Sequence, residues 1–389
     1  MKIIFSDLHI GDGHLKDDFV YDKKFIKLLE RNKNENLEII FVGDCLELTD
    51  TYTDTQIFSD VETTVENFDY NYFENIYKTH KNVFNYLKEL SKNNPIKYIC
   101  GNHDYHFLFS EKMTEKLKDY MGNVEILPYY YDEEWEIFYI HGHQFDFANR
   151  FTKDENNKIL PTFGEMLQKY MGQNFDAQIL EILPEDLFSD YDNVSPQLDM
   201  FYWLKYVTKK YSIPYDLKGN WANTFINFMR TKETKKWLKS NFPKQSFLSN
   251  IFINKVGGIK VGEVLVRIAN HIRVLNGVNG LLQSSKKLLL EDFLIPENYL
   301  IGFGDKEIFI PEDKIKGIVM GHNHKPKFYN IYKNKKRKFY ANTGAWKHVV
   351  MRNNGINKSD FIRKNTLSYL TIEEVRKQLD IKLHVEQHF

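Results

Sequence analysis

A chain of 389 residues with 42% apolar side chains exceeds one average domain and is too hydrophobic for wholesale disorder. Its 53 basic and 53 acidic residues cancel, which excludes a protein coated in basic charge for nucleic acid but leaves local patches possible. The only cysteines, Cys45 and Cys100, offer no disulfide framework; with no signal peptide and no apolar run of about 18 residues, a soluble cytoplasmic protein is expected.

The first 145 residues read as alternating strands and helices. Ile3 to Ser6, Glu38 to Val42, Ile96 to Cys100 and Ile137 to Ile140 are short β-prone runs, each stopping at Gly, Asp, Asn or His. A helical segment carries Phe73, Ile76, Tyr77, Phe84 and Leu87 and ends near Asn93-Asn94-Pro95. A hairpin is predicted between Val124–Tyr131 and Trp135–Ile140 across Asp132-Glu133-Glu134. From 146 to 300 strand signals fade, and helix-like stretches rich in aromatics take over, with Phe163, Tyr170, Trp203, Tyr206, Trp221 and Trp237. Charge splits there too: residues 151–200 hold 3 Lys against 10 Asp or Glu, whereas 201–290 hold 16 Lys or Arg against 3 acidic groups. Strand character returns at 315–320, 338–342, 367–372 and 381–385. This predicts a helical insertion, 146–300, in a scaffold made of 1–145 and 301–389.

Five short clusters stand at the ends of these strands: Asp7-Leu8-His9, Gly43-Asp44, Gly101-Asn102-His103-Asp104, His141-Gly142-His143 and Gly321-His322-Asn323-His324. Carboxylate, imidazole and amide ligands suit Mn²⁺, Fe or Zn²⁺, and no thiolate is placed for a cysteine-type zinc site. In Asp-x-His and His-x-His, residues two apart on an extended backbone face the same way and can reach one metal region. Any one cluster is weak evidence. Five in succession, each following an apolar run, are hard to explain as coincidence.

The order Asp-x-His, Gly-Asp, Gly-Asn-His-Asp, His, Gly-His-x-His resembles the signature of calcineurin-like metallophosphoesterases over residues 1–145 and about 315–345, including Asn342-Thr343-Gly344. That resemblance implies an α/β (α+β) fold, a four-layer sandwich of two β-sheets flanked by helices. It implies two divalent metals, with manganese expected and Fe or Zn²⁺ as alternatives. Asp7, His9, Asp44 and His324 would hold one, and Asp44, Asn102, His141 and His322 the other, with Asp44 bridging. A water shared by the metals would be the nucleophile. His103 is expected to protonate the leaving oxygen or stabilise the transition state, with Asp104 orienting it. His143 is read as lying beside the ligands, and Arg150 as a candidate grip on substrate phosphate, with a plain surface arginine as the alternative. His14, His106, His271 and His348 are read as packing or surface histidines, and Cys45 and Cys100 as small apolar groups.

Asp7-Leu8-His9-Ile10-Gly11-Asp12, then Asp17-Asp18-Phe19, looks like the branch that includes UDP-2,3-diacylglucosamine hydrolases, as does an inserted lid. Those hydrolases typically carry arginine in place of His103 and a shorter lid. The expected activity is hydrolysis of a phosphoester or pyrophosphate in a small or lipid-linked substrate. The alternative is a nuclease using the basic, aromatic-rich stretch 201–290. Within the insertion, Val261, Leu265, Ile268, Ile272 and Leu275 recur at helical spacing, and Arg267, Arg273, Lys286 and Lys287 are candidate phosphate contacts.

Overall fold

Side chains alternate between the two faces of a strand, so the apolar run Ile3-Ile4-Phe5 needs cover on both sides. The computed structural model describes all residues except 18, 34–35, 50–55, 196–198, 243–284, 334–335, 354–359 and 389. Strands β1 (Lys2–Phe5), β2 (Glu38–Val42), β3 (Ile96–Ile99) and β4 (Val124–Leu127) run parallel in that order. β5 (Tyr130–Asp132) and β6 (Ile137–Tyr139) pair antiparallel in a second sheet. Two short pairs follow, β7 (Thr152–Lys153) with β8 (Ile159–Leu160) and β9 (Phe293–Ile295) with β10 (Ile308–Ile310). The C-terminal part supplies β11 (Gly317–Met320), β12 (Lys327–Lys333), β13 (Lys336–Asn342), β14 (Trp346–Arg352), β15 (Phe361–Val375) and β16 (Gln378–His388).

The first sheet has seven strands. One edge of β15 takes both β14 and β1, at successive positions, while β16 pairs along the other. The second sheet runs β12-β13-β11-β6-β5. The fold is thus mixed α+β, as expected. Ile4, Ile40, Val42 and Ile99 of the first sheet pack against Tyr139, Val319 and Ala341 of the second, so the two sheets face each other. The outer face of the first sheet, with Ile3, Phe5, Ile39 and Phe41, is covered by helices through Phe25, Leu29, Phe73 and Phe84. The outer face of the second, with Phe138, Ile318 and Met320, is covered by Leu289 and the β9–β10 pair.

The helices described between Phe163 and Asn241 gather a separate apolar cluster around Trp203, Trp237, Phe225 and Phe228, to which β14 contributes Val350. Thr162, Asp216 and Thr231 start three of them by accepting a backbone N–H from the first turn. Ion pairs tie these helices to the rest of the chain: Lys16 to Asp176 and Asp192, and Arg363 to Asp190. His348 is buried at the same seam against Asp190, a packing role as expected. The predicted stripe Val261–Leu275, with Arg267, His271 and Arg273, lies outside the described residues, as does Asp18; Lys286 and Lys287 are exposed on a helical turn over 285–290. Among the described residues, no helix is long and apolar enough to cross a membrane.

Two expectations need correction. Val124–Leu127 is not part of the hairpin; it extends the first sheet beside β3, and only β5 and β6 pair across the acidic turn. The helical segment through Phe73 and Leu87 is broken in two, Tyr70–Thr79 and Lys81–Leu90, at His80. His80 is 4% exposed, and its ring nitrogens meet Asp22 at 2.7 Å and Asp17 at 3.4 Å. Asp17 also accepts the N–H groups of Gly11, Gly13 and Phe19, so this histidine anchors the loop that follows Asp7 and His9.

Burial disfavours the charged imidazole, but the two carboxylates win and raise the His80 pKa to about 9. A raised folded-state pKa stabilises most below the unfolded value and loses that stability as pH rises through the folded one. The stability gap between wild type and His80→Gln should therefore narrow from pH 6 to pH 10, by on the order of 1–3 kcal/mol. Urea unfolding at both pH values reads this directly; a gap that does not change with pH would exclude the charged pairing.

Candidate metal centre

The parallel pairing of β1 with β2 continues past the strand ends. Asp7 N donates to Gly43 O, His9 N to Asp44 O and Ile10 N to Cys45 O, each at 3.0 Å, which draws the first two clusters together. From the second sheet, Gly321 N donates to His141 O, and His322 N donates to the Asp7 carboxylate. Asn342 supports that turn by donating Nδ2 to Gly321 O. The clusters follow β1, β2, β3, β6 and β11, so both sheets deliver side chains to one end of the sandwich.

Asp7, His9, Asp44, His322 and His324 all have positive φ, between 47° and 70°. None is glycine, so each conformation is costly, and such strain concentrates at functional sites. Close approach is also built in. A Cβ on Gly101 would lie 2.1 Å from Asp44 Oδ1, so only glycine lets that loop pass the carboxylate.

The side chains form three groups, in each of which the ligand atoms lie within 4.8 Å of one another: Asp7, His9 and His324; His9, Glu47 and His103, which shares His9 with the first; and, separately, Asp44, His141 and His322. Nε2 of His9 and Nε2 of His324 are 3.2 Å apart, and His324 Nε2 is 3.3 Å from Asp7 Oδ1. His141 Nε2 lies 2.9 Å from Asp44 Oδ2 but is out of line for a hydrogen bond. Asn102 Oδ1 is likewise buried without a hydrogen-bond partner. Buried polar atoms are normally satisfied. A cation on the second ligand set would satisfy the buried Asn102 Oδ1 and stand between His141 Nε2 and Asp44, and the oxygen and nitrogen donors suit Mn²⁺, Fe or Zn²⁺. Six of the seven expected ligands, Asp7, His9, Asp44, His141, His322 and His324, are thus grouped, and Asn102 stands in the loop between Gly101, which passes close to Asp44, and His103, whose N–H donates to it.

The other nitrogen of three of these imidazoles is held by protein: His9 Nδ1 by Glu47 at 2.9 Å, His141 Nδ1 by the Val42 carbonyl at 2.8 Å, and His322 Nε2 by Asp146 at 3.0 Å. Fixing the second nitrogen orients a ligating histidine. Burial opposes charge on Asp44 and His141. Their mutual attraction prevails, holding the Asp44 carboxyl well below its usual range and raising His141 to about 9.

His103 does not pair with Asp104, contrary to expectation. Asp104 is fully buried, and its carboxylate accepts from Cys45 N, Gly101 N and the Tyr98 hydroxyl; it braces the loop instead. The His103 ring is held by Glu47, 2.8 Å from Nδ1, and by Thr49 at 2.9 Å. Burial works against a charged His103, yet Glu47 and Asp44 raise its pKa to about 10. Glu47 and Asp146 escaped the sequence reading. Glu47 stands only three residues after Asp44, so inspection past Gly-Asp for a carboxylate could have found it.

His143 is buried against Phe303, with ring centroids 4.5 Å apart, and neither ring nitrogen has a hydrogen-bond partner. Burial holds it neutral, well below the usual imidazole pKa, and the neighbouring His141 and His322 push the same way. The Arg150 guanidinium lies over the Tyr299 ring at 4.6 Å, its Nε without a hydrogen-bond partner. Cys45 and Cys100 are buried thiols with pKa values pushed well up by burial, consistent with packing roles. No family model matches this chain, and neither does any curated protein.

Proposed function

We propose that the chain is a dinuclear metal-dependent phosphoric ester hydrolase of calcineurin-like type, acting on a phosphoester or pyrophosphate bond of a small or lipid-linked substrate. The observation that carries this reading is the grouping of Asp7 with His9 and His324 and of Asp44 with His141 and His322, His141 Nε2 lying 2.9 Å from Asp44 Oδ2. Asp7, His9, Asp44 and His324 would hold one ion, and Asp44, Asn102, His141 and His322 the other. Bound divalent ions supply charge stabilisation and activation of water near neutral pH. Among the chain's own groups, His103, oriented by Glu47 and Thr49, protonates the leaving oxygen. Arg150 offers planar donors to a substrate phosphate, and the cap selects what enters.

A nuclease is the second reading, and the cap favours it. Between Met200 and Asn241 there are nine basic side chains against Asp216 and Glu233, with Tyr202, Tyr211 and Tyr215 exposed nearby.

The test is elemental analysis followed by a panel of phosphomonoesters, diesters, nucleoside and lipid pyrophosphates and single-stranded oligonucleotides, assayed with added Mn²⁺. Two ions per chain and Mn²⁺-dependent turnover of a small ester or pyrophosphate are expected. Affinity for oligonucleotides falling steeply with salt, together with their cleavage, would favour the nuclease. One ion or none in active protein would sink the dinuclear reading.

A further inference from the structure

We infer that Asp146 is a positioning residue that sets the ring tautomer of His322 and ties the root of the helical cap to the metal centre. The inference rests on the dinuclear reading above. Asp146 Oδ2 lies 3.0 Å from His322 Nε2. A carboxylate only accepts, so Nε2 carries the proton and Nδ1 keeps its lone pair for a metal.

Asp146 is itself tightly held. It is 4% exposed; Oδ1 accepts from Ala148 N at 3.0 Å and Oδ2 from Asn149 Nδ2 at 2.8 Å. Its backbone carbonyl receives the N–H groups of Asn149 and Arg150, closing a turn. That turn is where the first cap helix docks. Gly164 N donates to Ala148 O at 3.0 Å, and a Cβ on Gly164 would lie 2.1 Å from Asn149 Oδ1. Gly164, Asn149, Asp146 and His322 therefore form one chain of contacts from cap helix to ligand.

Asp146→Asn keeps the shape and reverses the chemistry. With the amide oxygen toward Ala148 N–H, the NH₂ group faces two donors, Asn149 Nδ2 and His322 Nε2–H. With the amide flipped, a donor faces Ala148 N–H instead. In the first orientation His322 escapes the clash by carrying its proton on Nδ1, which removes the lone pair intended for the metal.

The experiment compares wild type with Asp146→Asn by Mn²⁺ titration against a competing chelator, and by ring ¹⁵N spectra of His322 in chelator-treated protein. One of the two ions should bind about 10–100-fold more weakly in the variant, the usual cost of losing such a partner, while the other is retained. The chelated wild type should show His322 protonated on Nε2, and the variant a population protonated on Nδ1 from the first amide orientation; a purely structural role for Asp146 would change neither spectrum in this way. Equal affinity for both ions in folded Asp146→Asn overturns the inference. So does an Nδ1-protonated His322 in chelated wild type, a measurement that needs no variant to fold. Wild type that binds fewer than two ions overturns the dinuclear reading itself.

Discussion

Asp44→Asn should cost the protein metal occupancy and activity together, with turnover falling about 10³-fold or more. The magnitude follows from the several kcal/mol that bound cations contribute to charge stabilisation and the roughly 1.4 kcal/mol that each factor of ten represents. Asp44 is singled out by geometry. It is 1% exposed, it lies in strained backbone with φ of 53°, and its two oxygens serve different neighbours. Oδ1 accepts His103 N at 2.8 Å, while Oδ2 faces His141 Nε2 at 2.9 Å. An amide keeps the volume but removes the charge that two cations would share. Elemental analysis of the dialysed variant and the rate at saturating Mn²⁺ are the readouts. A variant that keeps two ions and near-normal turnover would show that Asp44 is not the bridge.

How much of this centre is legible without coordinates depends on how each group is specified. The proposed ligands stand at strand ends, where an apolar run stops and Gly, Asp, Asn or His begins. Strand and chemistry therefore mark the same positions, and Asp7, His9, Asp44, Asn102, His141, His322 and His324 can all be read. Their supports are less visible. Asp104 looks like the partner of its neighbour His103, but adjacency in sequence does not imply contact in a turn. Its carboxylate is consumed by Cys45 N, Gly101 N and Tyr98. Glu47 reaches His103 because the two loops are bonded together, Leu48 N to His103 O, His103 N to Asp44 Oδ1 and Cys45 N to Asp104, a tertiary fact with no periodic signature. Helix breaks behave similarly. The apolar spacing continues from Phe73 through Leu87, and nothing in it marks the break at His80, whose ring pairs with Asp17 and Asp22.

His103→Ala should leave both metals in place and lower kcat by about 10²–10⁴-fold, the range for lost general-acid assistance. The loss should shrink for p-nitrophenyl esters, whose leaving group needs little protonation. Glu47→Gln separates this role from metal binding, because Glu47 touches two rings. Its Oε2 lies 2.9 Å from His9 Nδ1, and its carboxylate also meets His103 Nδ1 at 2.8 Å. The amide that replaces this carboxylate can accept through only one atom, so both imidazoles lose part of their anchor. The His9 effect is on metal affinity, and excess Mn²⁺ should restore it by mass action. The His103 effect is on orientation, and no metal concentration should restore it. At saturating Mn²⁺, Glu47→Gln should therefore retain a kcat defect that depends on leaving group, as His103→Ala does. The double variant should be little worse than His103→Ala alone, since residues acting as a unit are not additive. Full recovery of Glu47→Gln by Mn²⁺ would confine Glu47 to supporting His9, and strictly additive losses would show that the two residues act independently.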